Sequence, residues 1–150
     1  LLLPNLKHFH QNNISSSSNI TISGNISGAG GIIKQGNGSL TLSGANTYNG
    51  TTTITSGAVF ITSNTALGST AAGTSLNGGR LILNGNGLNI SENITVNSDP
   101  GLGGIQSWNG NNTISGLITL NAYHDIRGNG VGTLTLAGGV TSSSNQSLTF

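Results

Sequence analysis

The chain contains no cysteine and no methionine, only two prolines, and just 5% charged residues among 150. Each shortage removes a class of explanation. Without cysteine there are no disulfide staples and no thiolate metal ligands, although this assigns no compartment, because a fold with an extended core needs no staple. Lys7, Lys34, Arg80 and Arg127 are scattered and leave a formal net charge of +1. Holding a polyanion takes several clustered cations, so nucleic acid is not expected as a partner. No run approaches the roughly 20 apolar residues that a helix needs to cross a bilayer, and Leu1-Leu2-Leu3 is cut off by Pro4, so no membrane insertion of this segment is expected. The chain starts with Leu and shows no signal peptide, as expected of a processed product, an excised fragment or an incomplete sequence.

Carboxylates are equally scarce: Glu92, Asp99 and Asp125. General acid/base work needs at least two positioned groups, and enzymes that handle acidic sugars on β-helices need clustered carboxylates with Arg or Lys. Asp99 precedes Pro100-Gly101, where a bond to its own turn accounts for it. Glu92, between Ile90 and Ile94, is expected on the solvent face. The most concentrated polar segment is Tyr123-His124-Asp125-Ile126-Arg127. On an extended strand His124 and Ile126 share one face while Tyr123, Asp125 and Arg127 share the other, which favours a surface Asp125–Arg127 ion pair over an active site. No Gly-x-Ser-x-Gly elbow occurs, and His8 with His10 are too few ligands for a specific metal site. No catalytic, cofactor-binding or metal residue is expected, and the chain reads as non-enzymatic.

What is present is glycine, 25 residues of it, together with many Asn, Ser and Thr. Apolar residues come one apart, as in Ile20 and Ile22, Leu40 and Leu42, Leu81 and Leu83, Ile94 and Val96, Leu134 and Leu136. Period two is the strand signal, and no window shows a helical stripe, so almost no α-helix is expected. Gly, Asn and Ser between these pairs supply corners. Asn-Gly dipeptides fit either hairpin turns or solenoid corners, and inward Asn side chains could form amide ladders from coil to coil. Nine Asn-x-Ser/Thr sequons, including Asn19, Asn25, Asn93 and Asn111, are what such a composition generates by chance.

Repetition separates the all-β alternatives. Gly38-Ser39-Leu40-Thr41-Leu42-Ser43-Gly44 returns as Gly79-Arg80-Leu81-Ile82-Leu83-Asn84-Gly85 and as Gly132-Thr133-Leu134-Thr135-Leu136-Ala137-Gly138. The segment from Gly44 to Ile54 returns from Gly110 to Leu120, an offset of 66 residues, or about three coils of roughly 22. A sandwich needs no such self-similarity, whereas stacked coils place equivalent residues in equivalent surroundings. The pattern predicts a parallel β-helix (β-solenoid) of six to seven coils.

At Gly31 to Val59 the chain resembles the autotransporter-associated β-strand repeat: Lys34, Gly36, Gly38, Leu40, Leu42, Gly44, Asn46, Thr47, Tyr48, Gly50, Thr52, Ile54 and Gly57 fall on its pattern, with Val59 where Leu is usual. The resemblance implies a right-handed parallel β-helix from the passenger of a type V secreted protein at the bacterial cell surface or outside it, and implies no catalytic activity. Full-length proteins of this kind carry a signal peptide before the passenger and an outer-membrane barrel after it.

Residues 1–18 read as an N-terminal cap or connector and 19–150 as the β-helix. An open strand edge templates unwanted pairing unless capped, which makes Leu1, Leu2, Leu3, Leu6 and Phe9 the candidate assembly segment. Trp108 is a candidate surface contact, with host or matrix glycans as candidate partners. Tyr48, equivalent to Ile114 in the repeat, is expected in the core or at a corner. Two functional readings follow: the rod of an adhesin, whose neighbours are adjoining repeats of a longer chain, and a filament subunit, whose neighbours are copies of itself. A carbohydrate-acting β-helix is a third and weaker reading.

Overall fold

A computed structural model describes residues 6–7, 11–98, 101, 104–128, 131–143 and 148–149. No helix occurs among these residues, and their strand pairings are parallel. Together they make a β-solenoid of about six turns.

The chain winds through three faces. The first stacks Asn12–Ser15, Ile32–Gln35, Thr52–Ile54, Thr74–Asn77, Ile94–Ser98, Ile118–Leu120 and Val140–Ser142 in sequence order. The second stacks Ile20–Ile22, Ser39–Leu42, Ala58–Ile61, Arg80–Asn84, Ile105–Asn109, His124–Gly128 and Leu148–Thr149. The third is less regular, with Asn89–Ile90, Asn112–Ile114 and Leu134–Leu136 in one sheet and Leu6–Lys7 paired with Ile26–Ser27 in another. On the first face the register partners Asn12, Ile32, Thr52, Thr74, Ile94, Ile118 and Val140 set coils of 20 to 24 residues.

Alternation makes the core. In Ser39–Leu42, Leu40 and Leu42 are fully buried while Ser39 and Thr41 face outward, and every second inward residue meets its counterpart in the next coil. Leu40, Val59, Leu81, Ile105 and Ile126 form one such column, and Ile54, Leu76, Val96 and Leu120 another. The 66-residue offset spans three coils, as the repeats predict. Asn46 and Asn112 hold equivalent places: the Ile26 amide donates to Asn46 Oδ1 at 2.8 Å and the Leu88 amide to Asn112 Oδ1 at 3.0 Å.

Two expectations need correction. The third copy of the Leu-x-Leu heptad does not continue the column of the first two. Leu134–Leu136 stacks on Asn112–Ile114 on the third face, because a short strand between glycines fits any face and its place follows from the residues counted since the last corner. The coil-to-coil amide ladder also runs outside rather than inside: Asn121 Nδ2 donates to Asn97 Oδ1 at 2.8 Å and Asn97 Nδ2 to Asn77 Oδ1 at 2.9 Å, all on exposed residues. Elsewhere Asn oxygens accept a backbone N–H from the next coil, as Asn25 does from Ala45 and Asn93 from Leu117. Where the chain bends and strand carbonyls point away, the side chain supplies the missing acceptor.

Corners bring backbones close. A side chain on Gly44 would strike the Gly24 carbonyl one coil away, and one on Gly116 would strike that of Glu92. Of the candidate assembly segment, Leu6 lies in a paired strand, whereas Leu1, Leu2, Leu3 and Phe9 lie outside the described residues. Asn12–Ser15, within the span read as a cap, pairs directly with Ile32–Gln35.

Burial by stacking predicts a position dependence. Leu81, sealed between two coils, should cost about 3 kcal/mol as Leu81→Ala, whereas half-buried Leu134 should cost clearly less as Leu134→Ala. Urea unfolding midpoints of the two variants give the comparison.

Candidate functional site

The polar groups inside the coils are where chemistry would be sought. Lys34 points inward, in register with Ile14 and Ile54, and is fully buried. Its Nζ donates to the carbonyls of Gln35 at 2.7 Å, Gly36 at 2.8 Å and Ser56 at 3.5 Å, using all three ammonium protons at the corner between the first and second faces. Burial pulls its pKa below the ordinary lysine value. Gly57, with φ of +69°, leaves the space, since a side chain there would begin 2.8 Å from Nζ. Lys34 is therefore a staple joining successive corners. From the sequence it registers only as a charged residue in a repeat otherwise built of Gly, Leu and Thr.

At the corner entering the first face, Tyr48, Thr52, Thr74 and Glu92 form a buried polar group. Thr52 Oγ1 donates to the Leu67 carbonyl at 3.2 Å, so the 2.5 Å bond between Tyr48 Oη and Thr52 Oγ1 has Tyr48 as donor. Tyr48 is 1% exposed, matching the core or corner position expected of it. Thr74, in register with Thr52, donates from Oγ1 to Glu92 Oε2 at 3.2 Å. Glu92 Oε1 is buried without a hydrogen-bond partner. Burial drives the Glu92 carboxyl up to about 8, only partly opposed by the Thr74 hydroxyl, and the same desolvation raises Tyr48.

This overturns the solvent-face expectation for Glu92, which is 4% exposed. The signal was present in the spacing: Ile90, Glu92 and Ile94 are two apart, and the inward alternation runs through the corner that joins their strands. Within this group the carboxyl is held neutral by burial beside the Thr74 hydroxyl, with the Tyr48 phenol as the other titratable side chain.

The Tyr123 to Arg127 segment divides as its alternation predicts. His124 and Ile126 are buried on the core side, with the imidazole packed over Gly104; Asp125 on the other side is buried as well rather than on the open surface expected of it, and exposed Arg127 covers it through Nε and Nη2. Tyr123 is exposed. Asp99, His8 and His10 lie outside the described residues, among which no group of three His, Cys, Asp or Glu could hold a metal.

Trp108 sits on the second face at a bulge: Leu83 pairs with Ser107 and Asn84 with Asn109, leaving Trp108 as the extra residue. Alternation from inward Ile105 and Ser107 turns the indole outward, and the bulge lets exposed Asn109 follow it on the same side. It lies edge-to-face on Phe60, with ring centroids 5.1 Å apart and planes at 85°, and its Nε1 donates to Gln106 Oε1 at 2.7 Å. Phe60, Ile82 and Gln106 are aligned across three strands, so the ring pair bridges the strand carrying Ile82, which faces outward yet is fully buried. Trp108 itself remains 38% exposed.

Residues 32–59 match the family model of the Passenger-associated-transport-repeat. No curated protein and no solved structure matched the chain. The matched stretch holds Lys34, Gly36, Tyr48 and Gly57 and runs from one strand of the first face to a strand of the second face one coil later. It fits an autotransporter passenger repeat that spans one coil of a β-solenoid and the first two strands of the next.

Two measurements check the interior groups. Lys34→Ala should lower stability by about 1–3 kcal/mol through the carbonyls it leaves bare, read from urea midpoints. For Glu92, the folded chain keeps its proton up to about pH 8 while the unfolded chain releases it near 4.5. The folded state then binds more protons between these values, so stability falls as pH rises from about 4.5 to about 8. Glu92→Gln should flatten this part of the melting temperature profile and raise the melting temperature at pH 8.

Proposed function

We propose that the chain is a non-enzymatic rod segment of a bacterial surface or secreted protein, an autotransporter-like passenger that displays binding elements away from the cell. The observation that carries this reading is that the matched repeat spans one coil of an in-register stack and the first two strands of the next. Its buried polar groups are spent on the stack itself: Lys34 on corner carbonyls, Asn46 on the Ile26 amide and the Ala66 carbonyl, Tyr48 on Thr52. Nothing of that coil is left over for catalysis, and a stiff spacer needs nothing more.

The filament reading shares one observation with the rod. Leu134, Leu136 and Val140 in the last described coil are only half buried, and a cavity of about 150 Å³ is lined by Ile126, Gly128, Leu134 and Leu136. A further coil would complete this core, whether it belongs to the same chain or to the first coil of another copy. On the rod reading, Trp108 is the candidate contact for host or matrix glycans.

The encoding gene separates these readings. Further repeats and an outer-membrane barrel beyond Phe150 are the expected finding. A stop codon after Phe150, with fibres of the isolated chain in negative-stain micrographs, would replace the rod with the filament.

A further inference from the structure

The outer side of the first face carries a regular, uncharged array that neither the core nor the proposed rod function requires. Alternation turns Ile54, Leu76, Val96 and Leu120 into the core and leaves their neighbours outside. Thr53, Ser75, Thr95, Thr119 and Thr141 therefore form one outward row, each in register with the next. Two residues along each strand, Asn77, Asn97, Asn121 and Ser143 form a second row, all exposed.

Three properties distinguish this array from an ordinary polar surface. Its backbone spacing is uniform: parallel strands place successive residues of the row about 4.8 Å apart across four steps, and within the row Thr141 Oγ1 leans over to donate to Thr119 Oγ1 at 3.4 Å. Its side chains are already ordered. Thr is stiff at χ1, and the second row is locked by Asn97 Nδ2 to Asn77 Oδ1 at 2.9 Å, Asn121 Nδ2 to Asn97 Oδ1 at 2.8 Å and Ser143 Oγ to Asn121 Oδ1 at 3.0 Å. Such ladders resist the twist that would otherwise rotate each strand against the next. A register shift at Asn97 is absorbed by its side chain, which also reaches Ser75 Oγ at 3.0 Å, and the threonine row passes through unbroken. Finally, none of the outward residues on this face is charged: Lys34 points inside, and Arg80, Asp125 and Arg127 belong to the second face.

We propose that this face is an ice-binding surface, the paired hydroxyl and amide rows holding a layer of water in the arrangement of a crystal plane. A hydroxyl both donates and accepts, as each water in ice does; Ser75 spends its proton on Asn77 Oδ1 at 3.2 Å and Thr141 on Thr119, which leaves Thr53, Thr95 and Thr119 to offer theirs to water. Water on a pre-ordered row loses little further freedom, so many weak contacts add up across the face. A charge would instead orient water radially and break the lattice, which makes the absence of charge part of the site. The proposal is independent of the rod reading, since it concerns one side of the solenoid whatever its ends join.

The test uses the 150-residue chain in a supercooled droplet at its own melting boundary. The expected result is faceted ice crystals with a gap between melting and freezing temperatures, and retention of the chain in slowly grown ice. Thr119→Tyr and Thr95→Tyr should remove most of that gap, while Thr41→Tyr on the second face should leave it intact, with circular dichroism confirming strand content for each. If a tyrosine variant fails to fold, Thr119→Lys at the same exposed edge takes its place with the same expected loss. Rounded crystals and no gap with the folded parent chain would overturn the proposal, as would a gap that Thr119 and Thr95 substitutions leave unchanged.

Discussion

The whole structure depends on one constraint: each coil must hydrogen-bond, in parallel register, to the coil before and after it. A strand on the first face has no partner within its own coil, so its N–H and C=O groups are satisfied only if the next turn returns after 20 to 24 residues to the same place. That return fixes which side chains are neighbours. Inward residues fall into columns such as Leu40, Val59, Leu81 and Ile105, and the apolar core is the product of stacking rather than of contacts between distant segments. Corners are where the scheme is most exposed to failure, because strand pairing lapses there while backbones still pass close together.

The polar side chains are best understood as answers to those corners. Lys34 gathers three carbonyls, Asn25 and Asn93 accept amides from the coil above, and Gly44 and Gly116 allow carbonyls to approach where any side chain would collide. The scarcity of charge belongs to the same picture. Most outward positions repeat every coil at the strand spacing, and a like charge at each would repel its neighbours along the rod. Threonine and asparagine avoid that repulsion and bond along the stack. Glu92 is the exception that shows the rule, a carboxyl turned inward and held neutral up to about pH 8 by burial.

The second face departs from the uniform pattern where Trp108 occupies a bulge and covers Ile82 together with Phe60. An aromatic pair outside a solenoid is a local irregularity, while the first face keeps its threonine row through the same coils. Two faces of one solenoid thus offer different surfaces: the second carries an aromatic pair together with Arg80, Asp125 and Arg127, while the first is uncharged and periodic.

Much of this was legible before any coordinates. Period-two pairs such as Leu40 and Leu42 define strands, the 66-residue offset from Gly44 to Gly110 defines a coil of about 22 residues, and the Lys34 to Gly57 pattern points to the passenger repeat, because short-range periodicity and stacking impose themselves directly on residue order. The assignment of each strand to a face was not legible. The heptad ending at Gly138 looks like the one ending at Gly44 but lies on another face, since small differences in corner length accumulate and only closure of each coil on the last one resolves them. Nor was the inward turn of Glu92 toward Thr74 or the reach of Lys34 from its own corner to the Ser56 carbonyl, contacts between residues some twenty apart. Residue order is enough to specify a stacked parallel coil with an apolar interior; which polar groups that coil encloses and which it lays out in rows follows from register between coils, a relation between residues some twenty apart that order along the chain does not contain.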